Sequence, residues 1–83
     1  MRDKSRIHEI MSLVTKIWEQ HQDLRFFQLL YILQSKYSKE NENVGIIEQT
    51  EKDGFSNVGF DFFNIEDDDF IMFLRTISES KKL

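Results

Sequence analysis

Apolar residues recur at intervals of three and four in two stretches of this chain, Ile7 to Trp18 and Leu24 to Tyr37, and no proline interrupts either. That spacing matches the 3.6-residue period of an α-helix, so both stretches read as amphipathic helices. The first is expected over about Ser5–Gln20. Ile7, Ile10, Met11, Val14, Ile17 and Trp18 form its stripe, Asp3 or Ser5 its cap, and Arg6, Glu9, Lys16 and Glu19 its solvated side. The second is expected over about 23–38. Asp23 is placed to accept from the free amides of its first turn, and Phe26, Leu29, Leu30, Leu33 and Tyr37 form its main stripe. Leu24, Phe27, Tyr31 and Ile32 widen the stripe until the helix is apolar around more than half its circumference. Such a helix is either central or meets a partner.

Residues 39–61 break the period. Lys39 to Gly45 and Glu48 to Gly54 supply polar, turn-forming chemistry around Ile46-Ile47. A short hairpin of 44–49 with 56–60 is the one β-element this segment admits, turning across Lys52-Asp53-Gly54. A third helix is expected over about 65–79, with Asn64 as cap, Asp67 standing where a capping box carries Glu or Gln, and Phe70, Phe73, Leu74 and Ile77 as its stripe. The fold class is therefore mainly all-α. It is a single domain, 1–83, in which two helices form a hairpin and a third packs across them after a long acidic connection.

Chain length makes that core a narrow one, since 83 residues bury only about 60–65% of their unfolded surface. Eight Phe, one Trp and two Tyr compensate. With no cysteine, neither a disulfide, a thiolate metal site nor a cysteine nucleophile is available. No apolar run approaches the roughly 18 residues of a membrane span, and the first residues lead into an amphipathic segment, so a cytoplasmic location is expected and a membrane partner is not. The net charge of -4 conceals an asymmetry: residues 40–69 hold ten acids against Lys52 alone. Nothing provides the basic footprint that phosphate neutralisation requires, which disfavours direct nucleic-acid binding.

Ile17-Trp18, Asp23-Leu24-Arg25, Gln28-Leu29 and, after a spacer, Asp61-Phe62-Phe63-Asn64-Ile65-Glu66-Asp67 resemble a group of short bacterial and phage proteins of uncharacterised role. Their pattern reads Ile-Trp, Pro-Asp-Leu-Arg-x-Gly-Gln-Leu, then Asp-x-Phe-Tyr-x-x-Asp before a final helix. Gln22 stands here in place of the Pro, Phe27 in place of the second motif's Gly, and the spacer is longer. The resemblance implies a three-helix fold and no particular activity. It singles out Asp23, Arg25, Gln28, Glu66 and Asp67 as polar residues at two helix starts. Their expected role is structural, with Asp23 and Asp67 as caps and Arg25 paired to an acid on the facing terminus.

Catalytic, metal and cofactor sites are not expected. Glu40 to Glu51 resembles an EF-hand loop only in its glycine and final glutamate, because Glu40 replaces the first aspartate and Val44 offers no side-chain oxygen. Glu66-Asp67-Asp68-Asp69 project about 100° apart on a helix and cannot converge on one ion. His8 and His21 stand apart from any catalytic constellation, and there is no nucleophile elbow or phosphate loop. Three short helices cannot bury eleven aromatics, so an exposed patch is expected around Phe27, Tyr31 or Phe55. The expected function is that of a non-enzymatic interaction module, meeting a protein partner or a second copy through that patch. The alternative is a phage or mobile-element inhibitor whose acids, Glu66, Asp67, Asp68 and Asp69 among them, imitate nucleic acid.

Overall fold

A computed structural model of the chain describes residues 3–50, 54 and 56–83. The element order is α1 (Ser5–Gln20), α2 (Phe26–Glu40), β1 (Ile46–Thr50), β2 (Ser56–Phe60) and α3 (Asp67–Ser80). Asp3 opens α1 by accepting the Ser5 amide on Oδ1 at 2.9 Å. That bond, with the guanidinium of Arg6 nearby, holds the Asp3 carboxyl below its ordinary pKa. At the other end of α1, Trp18 Nε1 donates to the Leu24 carbonyl at 2.8 Å across the turn.

α2 begins three residues later than the position of Asp23 suggested, because Arg25 takes the extended capping conformation and Gln28 Oε1 accepts its amide at 2.8 Å. A glutamine at the third helical position thus fills half of a capping box, while the arginine, which has no acceptor, leaves the other half empty. Asp23 stays outside the helix. α3 likewise begins at Asp67 with Glu66 as cap, not at Asn64. The chain ahead of it is already turned, since Asp61 Oδ1 accepts the Phe63 amide at 3.1 Å and the Phe62 carbonyl accepts that of Ile65 at 3.0 Å. Asp67, Asp68 and Asp69 occupy the first turn, where the helix dipole favours negative charge.

The backbones of α1 and α3 approach each other more closely than either approaches α2. The two run parallel. Arg6 Nε donates to Asp67 Oδ2 at 2.7 Å near their starts, and Gln20 Nε2 donates to the Ser78 carbonyl near their ends. Arg6 and Glu9 therefore do not face solvent as the α1 pattern suggested: Arg6 pairs with Asp67 and Glu9 with Arg75, both on α3. α2 lies antiparallel to both, with its first turn beside Trp18 (Phe26 ring at 5.4 Å) and its last beside α3 (Tyr37 5.3 Å from Phe70 and from Phe73). It packs through large side chains instead of close backbone contact. Leu29, Leu33 and Tyr37 join Ile17, Phe73, Leu74 and Ile77 in the buried core.

The end of α2 and the start of α3 are thus already neighbours, so the segment between them is an excursion. α2 closes when Ser38 accepts the Asn43 amide on its carbonyl and donates its hydroxyl to the Val44 carbonyl at 2.7 Å. The antiparallel hairpin then pairs Ile46 with Phe60 and Glu48 with Val58 on one face. Gly45 makes the entry possible. Its φ is +73°, and a Cβ there would lie 2.7 Å from both the Asp61 carbonyl oxygen and the Phe62 ring.

Candidate functional site

The α1 stripe is wider than the core it serves. Ile17 is buried, and Ile10, Leu13, Val14 and Trp18 pack partly buried against the core, whereas Ile7 and Met11, which share a face with Val14 and Trp18 at intervals of four, three and four, lie beyond its edge. Ile7 and Met11 are more than half exposed. Across the gap, α2 presents Leu30 and Gln34. Because the two helices are splayed, these residues, with Val14, Leu33, Phe62, Ile65, Phe70 and the acid Asp67, line an open cavity of about 220 Å³ that is predominantly apolar.

Beside that cavity an aromatic chain continues along α2. Trp18 touches Phe26, Phe26 touches Phe27 at 5.5 Å, and Tyr31, one turn on from Phe27, meets Phe60 of the hairpin edge-on at 5.7 Å. Phe27 is 78% exposed and Tyr31 51%. On α2 this face also shows Phe26, 40% exposed. Phe26 to Ser35 is a run of ten residues without an ionisable group other than the Tyr31 phenol, flanked by Arg25 and Lys36, and Lys36, Lys39 and Glu40 line a hollow on the other side of Tyr31. Charge depletion with aromatic enrichment is the composition of an interface centre.

Two of the three residues around which an exposed patch was expected, Phe27 and Tyr31, therefore stand on one helix face. Phe55, and Glu51 at the end of the EF-hand-like run, lie outside the described residues. Ile7 and Met11 on α1 and Phe26 on α2 are exposed too, but read from the sequence as parts of the apolar stripes. Phe63, in the turn where its amide donates to Asp61 Oδ1, is 90% exposed.

The structural roles expected of the polar residues at two helix starts are filled differently: neither Asp23 nor Asp67 is the capping residue. Gln28 caps α2, Arg25 is exposed and makes no ion pair among the described residues, and Asp67 is paired with Arg6 in its place. The acids collect instead where α1 and α3 start side by side, in a hollow lined by Asp3, Arg6, Glu9, Glu66, Asp67 and Asp68. Among the described residues no group of three His, Asp or Glu is disposed to hold a metal ion. No helix among them is long and apolar enough to cross a membrane. No family model, no curated protein and no solved structure matches the chain.

Proposed function

We infer that this protein is an interaction module that docks a protein surface on the uncharged run of α2 and the adjoining edge of α1. The observation that carries the reading is Phe27, a large aromatic left 78% exposed in an uncharged run of α2 beside a predominantly apolar cavity. Burying it would supply about 2–3 kcal/mol, and flanking Trp18, Phe26 and Tyr31 would exclude water around it. A nucleic-acid mimic has less support. Asp67 is engaged by Arg6, and Asp3 is committed to the Ser5 amide, so part of the acidic hollow serves the helix starts.

The test compares proteins retained by the immobilised wild-type chain with those retained by Phe27→Ser and by a variant carrying Asn or Gln at 66, 67, 68 and 69. Specific binding that persists at high salt, disappears with Phe27→Ser and survives the acidic substitutions is the expected result. Binding lost with the acids and with salt, but indifferent to Phe27, would replace this reading with mimicry.

A further inference from the structure

The end of α2 and the first three turns of α3 frame an open hollow of about 490 Å³, none of whose lining residues belongs to the Phe27 face. We propose that it binds a primary alkylammonium group, of a free amine or of a lysine side chain, with Asp69, Glu40 and the Tyr37 hydroxyl as acceptors.

Tyr37 is the first argument. Its ring packs against Phe62, Phe70 and Phe73, and only 6% of the residue is exposed. Its hydroxyl nevertheless makes no hydrogen bond to a described residue. A buried phenol ordinarily has a partner. This one opens on the hollow, on the side where the charge of Asp69 reaches it, so a group that enters the hollow can satisfy it.

The second argument is that the polar side chains around the hydroxyl are acceptors. Asp69 and Glu40 are exposed carboxylates, and neither forms an ion pair among the described residues. Asn41 Nδ2 donates to the Tyr37 carbonyl at 2.8 Å and Thr76 Oγ1 to the Met72 carbonyl at 3.1 Å, which leaves Asn41 Oδ1 and the Thr76 lone pairs free. No Lys, Arg or His lines the hollow among the described residues; Lys36 and Lys39 line a separate one that Glu40 also borders. Two carboxylates fall short of the oxygen ligands that a hard metal ion takes. An ammonium, with three N–H groups and one positive charge, matches both the lone pairs and the sign.

The floor decides what the ammonium is attached to. Tyr37 and Phe73 meet edge-on with ring centroids 5.3 Å apart, and Met72 stands beside them 65% exposed. Aromatic rings attract a cation, and a thioether side chain gives an alkyl stem a surface to lie along. A bare ammonium ion would leave that surface unused.

Titrating the ¹⁵N-labelled full chain with n-hexylammonium chloride, followed through its amide shifts, tests this. Saturable shifts around residues 37–41 and 69–76 are expected, with a Kd of about 1 mM for so small a ligand. Hexanoate, of similar length and opposite charge, should not bind. Hexyltrimethylammonium, which has no N–H to donate, should bind about threefold or more weakly. Tyr37→Phe keeps the ring and removes only the unpaired hydroxyl, so Tm should hold within about 2 °C while affinity falls about two- to tenfold. Asp69→Asn and Glu40→Gln should each weaken binding about two- to fivefold. Nα-acetyl-lysine amide separates the sources: tighter binding than n-hexylammonium assigns the hollow to a protein's lysine, weaker binding to a free amine. Shifts that stay linear to ten times the expected Kd overturn the proposal. So do equal binding of hexanoate, an affinity indifferent to Tyr37→Phe, or a marked fall in Tm for that variant, which would give the hydroxyl a structural partner. Phe27→Ser should leave the titration unchanged, so this proposal and the interaction reading stand or fall separately.

Discussion

Phe27 and Leu29 sit two residues apart on α2, similar in hydrophobicity, and substitution at the two should have opposite consequences. Leu29 is fully buried at the centre of the core, so Leu29→Ala removes most of a side chain from among Ile17, Leu33 and Leu74 and leaves a cavity. Such changes cost about 2–5 kcal/mol. For a domain of this size each kcal/mol lowers Tm by roughly 4–8 °C, which puts the loss at about 10–40 °C. Phe27, 78% exposed, has about 45 Å² of its side chain out of water, which at 25 cal/mol per Å² is about 1 kcal/mol. Phe27→Ser should thus lower Tm by only a few degrees. Thermal and urea unfolding at low protein concentration, where self-association is minimal, measures both, with Trp18 as the single tryptophan reporter and circular dichroism as the second probe. If Phe27→Ser proves as costly as Leu29→Ala, Phe27 belongs to the core and the interface argument collapses with it.

Two further outcomes follow from local geometry. Gly45→Ala should destabilise by about 2 kcal/mol or more in urea titration, because the left-handed φ of +73° is strained for alanine and its Cβ would strike the Asp61 carbonyl; a change under about 0.5 kcal/mol would mean the hairpin entry shifts freely. Tyr37 is held above its ordinary pKa of 10.0, first by burial and then by the charge of Asp69. A raised folded-state value contributes stability that is complete below pH 10 and is lost as pH rises through it. Stability should therefore decline above about pH 10 in wild type, and Tyr37→Phe should flatten that part of the pH profile; an unchanged slope would assign the alkaline loss to other groups.

Helix content was legible in the sequence because periodicity is a local property. Ser5–Gln20 and the second strand Ser56–Phe60 match the reading from residues, and the third helix starts within two positions of it. The boundaries went wrong at caps. Asp23 and Asn64 have the side chains of good caps, but Gln28 and the turn organised by Asp61 had already satisfied the amides that matter. Arg6 and Glu9 looked solvated because a helical wheel shows which residues share a face, not what stands opposite that face. Exposure of Phe27 and Tyr31 could be anticipated by counting aromatics against the surface three short helices can cover. Exposure of Ile7 and Met11 could not.

The amino-acid sequence by itself determined the helical class, the two-strand excursion, the acidic middle and the uncharged run of α2, since each follows from neighbouring residues and their period. Only the tertiary structure decided which half of each apolar stripe became core. α1 pairs closely with α3 and stands apart from α2, so Ile17 and Leu29 are enclosed while Ile7, Met11 and Phe27 are left exposed. That choice depends on how three helices divide a core too small to bury every apolar side chain, and no single helix carries the information.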